Sequence, residues 1–424
     1  MRTALVTSLL LGFACSVGAE NWPQWRGPHA DGVSSDTGFP LEWSSSDNVR
    51  WKVALPGRGA STPIVWDELV FVTLQIGEGP METRLARDLV NAAPWEDADT
   101  PPVGVHFLVS AYDREDGHVV WSYRLEAPAE LPDVYPSHNL ASPSVATDGE
   151  LVLAWFGTGQ LVALDLEGRR RWSKDIGAEY FPFRLTRGHA TSPVLWRDSV
   201  ILLVDHEDEA MLLSLDTKTG EERFKIDRGD SRRSYATPLI VDHGGRAQII
   251  VNGEAGLDAY EPDVGTHLWH VAERVRLSAP TPVSHGGNIY VNRGYSSSPY
   301  MALSADGELR WRSATGGPYV SSPLVAHGRI YMATEHGIVS VIDADTGERL
   351  TRFRTGDVYT ASPVAADGHV FLVGESGVTV VVSEGAEPEV RSRNPLEERV
   401  IASPALSDGQ IFIRGDRHLF AIGR

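Results

Sequence analysis

The chain has 424 residues, 42% of them hydrophobic, and a formal net charge of −19. That length and composition provide for a large core and exclude a globally disordered chain. The acidic balance excludes a general nucleic-acid or anionic-membrane partner and reads first as surface solubility.

Residues 1–19 stand apart from the rest. Arg2 precedes the apolar run "ALVTSLLLGFACSVGA", which is too short for a stable bilayer span and ends on small residues. This pattern predicts a signal peptide cleaved before Glu20. Removing 1–19 removes Arg2 and no acid, so the charge moves from −19 to −20. No later stretch is long and apolar enough to cross a bilayer, so an exported, periplasmic or extracellular protein is expected. Cys15 is the sole cysteine, and a chain starting at Glu20 has neither disulfide nor thiol chemistry. The alternative is lipidation at Cys15, although Gly12 and Phe13 depart from a lipobox.

After an N-terminal arm, residues 20–47, one phrase recurs to the end of the chain. Ser or Thr before Pro, then an apolar run, occurs at Pro63, Pro143, Pro193, Pro238, Pro282, Pro323, Pro363 and Pro404. The spacings are 80, 50, 45, 44, 41, 40 and 41 residues. Periods of about 40–45 residues with four strands each predict a β-propeller. In the sixth copy the strands read "SPLVA", "RIYMAT", "IVSVID" and "ERLTRFRT", bounded by "HG", "EHG" and "ADTG".

The eighth copy stops at Arg424 after its third strand. "NVRWKVAL", Asn48–Leu55, resembles the fourth strands of other copies and precedes the first, so it is expected to complete the last blade. The fold class is all-β, a single eight-bladed propeller over 48–424, closed so that no sheet edge is left open. Trp51, Trp121, Trp172, Trp269 and Trp311 recur at one position and are expected to pack between blades. Asp113, Asp216 and Asp343 open Asp-x-x-x-Gly turns, which read as hairpin chemistry because the ligand set of a calcium loop is missing. "DHEDEA", Asp205–Ala210, reads as a solvated loop.

The third strand, Asp turn and outer Trp, as in "LVSAYDREDGHVVW" and "LLSLDTKTGEERF", resemble the repeat of PQQ-like (pyrroloquinoline-quinone-type) eight-bladed propellers. The segment "NWPQWRGPHADGVS" is similar to the start of secreted PQQ-like repeat proteins of planctomycete-type bacteria. The resemblance implies two kinds of activity. Some members are quinoprotein dehydrogenases using PQQ and calcium. Others, of the BamB type, are non-catalytic scaffolds. The adjacent cysteine pair of many dehydrogenases has no counterpart after residue 19, and their calcium carboxylates match no motif here. The reading is therefore an exported, monomeric binding or scaffold protein. A PQQ-dependent oxidoreductase and a carbohydrate- or peptide-recognition propeller are the alternatives.

Alternating strands put the strand 2–3 loops and the blade-to-blade connections on one face. The connections lie beside the axis because they feed the innermost strands. Close before the repeat prolines stand Arg58, His138, Asn139, Arg187, His189, Arg233, Tyr235, Arg276, Tyr319, Tyr359 and Arg399. Such an excess of Arg, His and Tyr in an acidic chain predicts a pocket for an anionic small molecule or an acidic peptide partner. The structural alternative pairs the arginines with Glu254, Glu335, Glu375, Asp357 and Glu398. The insertion Ile76–His106 in blade 1 opens on the same face and is expected to cap the axis, contact a partner or decorate the surface.

Overall fold

Runs rich in Val and Ile, bounded by Gly and Asp, form short strands throughout the chain. The computed structural model describes residues 20–78, 103–132, 134, 138–185, 187–229, 233–295 and 298–423. The expected leader, 1–19, and residues 79–102 of the insertion lie outside the described residues. The strands make eight four-stranded antiparallel sheets, the blades of an all-β, eight-bladed propeller. Blade 1 runs from Ile64 to Glu126, blade 2 from Ala146 to Asp175 and blade 3 from Val194 to Asp227. Blade 4 runs from Leu239 to Ala272, blade 5 from Val283 to Ser313, blade 6 from Leu324 to Arg354 and blade 7 from Val364 to Pro395.

Blade 8 joins both ends of the chain. Its three C-terminal strands, Ala405–Ser407, Gln410–Arg414 and His418–Ile422, take the N-terminal strand Val49–Ala54 as their outermost member. Trp51 pairs with Ala421 and Ala54 with His418. The expected closure is present, and it removes the open edge of the last sheet.

Neighbouring blades are locked at the rim and at the axis. At the rim, the indole N–H of Trp51 donates to Arg114 O, Trp121 to Leu166 O, Trp172 to Thr217 O and Trp311 to Ala344 O. Each carbonyl belongs to the strand 3–4 turn of the next blade. The turn glycine is needed there: Gly347 has φ +74°, and a Cβ on it would lie 2.6 Å from Trp311 Cδ2. The aspartate that opens the turn folds it. Asp216 Oδ1 accepts from the backbone N–H of Lys218 and of Thr219, and Asp343 Oδ1 from that of Thr346.

At the axis, hydroxyls beside the repeat prolines form a chain of bonds around the ring: in blade 2 the link is Ser144, just after Pro143, and in the other blades it is the Ser/Thr before the proline. The N–H of Thr62 donates to Ser144 Oγ, Ser144 to Ser192, Ser192 to Thr237 and Thr237 to Thr281. Thr281 then donates to Ser322, Ser322 to Ser362 and Ser362 to Ser403. Backbone donors crowded at the axis thus find acceptors on the next blade. The circle is open at the closure seam, where Thr62 Oγ1 has no hydrogen-bond partner among the described residues.

The arm covers the axis on the face of the strand 1–2 and 3–4 turns. Asn21 bonds Asp67, Asp36 accepts from Asp408 N, and Gly38 N donates to Asp367. Trp22 and Arg26 are fully buried. Arg26 donates from Nη1 to Pro363 O at 2.6 Å and from Nη2 to Pro323 O at 2.8 Å, while Trp25 Nε1 donates to Thr281 Oγ1. Burial holds the Arg26 guanidinium down at about 10.

Candidate functional site

With one axial end covered by the arm, the other end is shaped by the connections between blades. Arg58 is held by a pair of backbone bonds to Gln75 of blade 1, at 2.9 and 2.7 Å. Its half-buried side chain enters a cleft of about 340 Å³ lined also by Glu398, Arg399, Asp416 and Arg417. Burial depresses the Arg58 guanidinium, Asp416 opposes this, and Arg399 adds to it. Among the described residues Arg58 makes no side-chain hydrogen bond. Arg399 lies 3.7 Å from Glu375 Oε2 and 3.8 Å from Asp416 Oδ2. Burial pushes the Asp416 carboxyl up, with Arg399 and Arg58 pulling it back.

A second group is made by loops of blades 3 to 6. The Arg187 guanidinium lies 6.0 Å from the Tyr319 ring centroid, joining connections three blades apart. Tyr319 packs on Tyr295 at 5.2 Å, and Arg276 lies 5.9 Å from the Tyr295 ring. Burial, then Tyr319, raises the Tyr235 phenol, and Arg187 opposes them. Arg276 and Tyr295 are exposed at the face.

The remaining candidates are placed otherwise. Arg233 is committed to Glu254, with Nε 3.0 Å from Oε2, and lies 3.6 Å from Glu207. His189 is buried between Trp155 and Phe183 and bonds His206 and Thr191. His138 donates to His189 O, and Asn139 Oδ1 accepts from Ala141 N. Tyr359 is packed in the core between blades 6 and 7. Burial of His189, Asn139 and Tyr359 corrects their expected place at the axial surface. "DHEDEA" needs correction too. Asp205 is fully buried, with Arg228 Nε 2.8 Å away, and His206 is buried with it, so the segment is solvated only beyond them. The arginines do not share one pocket: Arg58 lies with Arg399 in the cleft, and Arg187 is linked to Arg276 through Tyr319 and Tyr295.

Three lining residues were missed: Asp416, Arg417 and Tyr295. Their signal was positional, since all three lie in strand 2–3 loops, which share this face.

The fold family raises PQQ and calcium, so the donor set matters. Calcium takes six to eight oxygen ligands. On the loop face, Glu254 is bonded by Arg233 and Arg274, Glu375 by Thr360, and Glu398 by His418. Among the described residues the acid and His atoms that converge are those of Asp113, Asp116 and His118, in an exposed turn on the opposite face. The carboxylates beside the axis therefore do not fit a calcium–quinone site.

Known proteins repeat this architecture. The family model described as outer membrane protein assembly factor BamB matches residues 33–244, 253–356 and 335–423. The chain is 24% identical over 189 residues to outer membrane protein assembly factor BamB of Moranella endobia (strain PCIT), 41% of this chain and 45% of that one. It is 31% identical over 148 residues to serine/threonine-protein kinase AfsK of Streptomyces griseus, 34% of this chain and 18% of that one. It thus spans less than half the length of either curated relative. Among solved structures, BamB from Moraxella catarrhalis matches with a TM-score of 0.57 at 16% identity, covering 82% of this chain and 98% of that one. Quinohemoprotein alcohol dehydrogenase from Comamonas testosteroni matches with a TM-score of 0.66 at 12% identity, covering 95% and 81%. These structural likenesses speak to the fold alone. The family match spans nearly all of the blades, and the chain belongs to the BamB-type family of PQQ-like propellers.

Proposed function

We propose that this is an exported, non-catalytic binding propeller that takes an anionic group of a ligand or protein partner at the loop-face end of its axis. The observation that carries the reading is the asymmetry of the axis. Trp22, Trp25 and Arg26 cover one end. The other presents a cleft with Arg58, Arg399 and Arg417, and on the same face, from blade 5 and the connection before it, the exposed Arg276 and Tyr295. Guanidinium groups in a half-buried site favour anions through charge-assisted hydrogen bonds. Relatives named as outer membrane assembly factors support a scaffold role, and residues 1–19 support export. No helix among the described residues is long and apolar enough to cross a membrane.

The test is to incubate the purified protein with PQQ and calcium, record its absorbance, and assay dye-linked oxidation of simple alcohols and sugars. No bound-quinone spectrum and no turnover are expected. Turnover dependent on the quinone would overturn the non-catalytic reading.

A further inference from the structure

The cleft contains a charge arrangement that narrows what it can hold. Glu398 is fully engaged: Oε1 accepts from the N–H of Arg417 and His418, and Oε2 bonds His418 Nδ1 at 2.6 Å. The chain gives way to it at Gly415, where a Cβ would lie 1.8 Å from Glu398 Oε1. Glu375, almost fully buried, backs Arg399. Asp416 differs from both. Its side chain is one-quarter exposed, lies 3.8 Å from Arg399 Nη1, and accepts no hydrogen bond from either arginine. Arg58 and Arg399 both act on it electrostatically. Asp416 therefore neutralises the pair without engaging the donors of Arg58.

We propose that the cleft between Arg58 and Arg399 is a receptor for one carboxylate, with Asp416 holding its place in the unbound protein. This rests on the reading that the loop-face end of the axis binds an anionic group, and it names the group. Three guanidinium groups line the cleft against two carboxylates, and Glu375 behind Arg399 cancels the surplus. The site as built therefore balances one negative charge at the Asp416 position. A carboxylate that takes this position as Asp416 turns to solvent conserves that balance, whereas a phosphate dianion adds a charge with no partner. The carboxylate gains the planar, two-donor fork that Asp416 does not use. It comes from the C-terminus or an acidic side chain of an extended peptide, or from a free small acid, because a cleft of about 340 Å³ admits either.

The test uses calorimetric titration of the mature protein at low salt with acetate, inorganic phosphate, and a Gly-Gly-Leu peptide whose C-terminus is free or amidated. The free-acid peptide is expected to bind and the amide to bind at least about tenfold more weakly, the loss of one charge-assisted contact. Arg58→Gln should give a similar loss at an unchanged melting temperature, and Asp416→Asn should tighten binding by about tenfold. Acetate competing on equal terms would assign the site to small acids, and a large advantage for the peptide would assign it to peptide ends. Equal binding of acid and amide, tighter binding of phosphate, indifference to Arg58→Gln, or no binding by wild type and Asp416→Asn alike would each overturn the proposal. Crosslinking from the loop face reads the broader function independently. A partner still captured there while no carboxylate binds would reject the carboxylate and leave the binding propeller standing.

Discussion

His206 Nε2 lies 3.1 Å from His189 Nδ1, and the bonds at either end of the pair fix the proton between them. His206 Nδ1 accepts from Arg184 N–H, so its proton is on Nε2. His189 accepts that proton at Nδ1 and donates from Nε2 to Thr191 Oγ1, whose hydroxyl donates to Leu203 O. Both rings are neutral in this one-way chain, and adding a proton to either puts two hydrogens into one bond.

Acid should therefore destabilise this part of the molecule. Burial lowers His138 to about 4 and His206 to about 3, and His189 is depressed by burial and by its two neighbours. A histidine whose folded pKa lies below its unfolded one contributes in full above about 6.5 and loses that contribution as pH falls toward the folded value. The three groups together therefore make the folded state progressively less stable as the pH falls below about 6.5. Burial pushes Asp205 up to about 6, an opposite contribution lower in the window that one carboxyl cannot make larger than that of three histidines. Urea midpoints should fall steeply between pH 6.5 and 5, and His206→Gln should flatten the slope. An unchanged slope in that variant would contradict the assignment.

Closure of the ring by Val49–Ala54 predicts that deleting residues 20–55 abolishes cooperative unfolding. The deletion strips a whole strand from blade 8 and uncovers the axis together. A truncated protein melting at the parent's temperature would refute the closure, and a calorimetric scan decides it.

Arg26 satisfies carbonyls of blades 6 and 7 from the centre of the axis. Arg26→Ala leaves them unpaired and opens a cavity, at a cost of about 3 kcal/mol or more. Arg26→Lys should recover only part of this, because an ammonium cannot span two fixed acceptors as the fork does. Denaturant unfolding of both variants measures the difference. Equal stability of Ala and Lys variants would show that the fork has no such role.

Gly347→Ala tests the rim. Its Cβ would enter the Trp311 ring at a positive φ, so either the turn or the indole must move. A loss of about 1–3 kcal/mol is expected. The same change at Gly328, whose φ is +71° but which has nothing within 4 Å, should cost less. Equal losses at the two sites would remove the packing argument.

The propeller was legible because the residues that build it recur in register. Trp51 announced the closing strand because it stood where Trp121 and Trp172 stand. The Ser/Thr before each proline was visible as a marker, but the bond to the next blade needs two repeats set side by side, and in blade 2 Ser144 makes it in place of the Ser142 that the phrase marks. The site was legible only in part. Phase along the repeat brings Arg58 and Arg399 to the axis, yet rotamer and local acids decide which way a side chain turns. Arg233 met Glu254 and left the opening, and His189 turned inward toward His206. Asp416 lies in a strand 2–3 loop, outside the connections that phase alone singles out.

A working surface at the loop-face end of the axis must meet its partner there. A photo-crosslinking residue at Tyr295 and, as control, at Lys218 in an exposed turn on the opposite face, in the cell that makes the protein, reads this contact. One discrete adduct is expected from Tyr295, lost on adding Arg58→Glu with Arg276→Glu, and none from Lys218. An adduct from Lys218 alone, or one from Tyr295 that ignores both charge reversals, would contradict it.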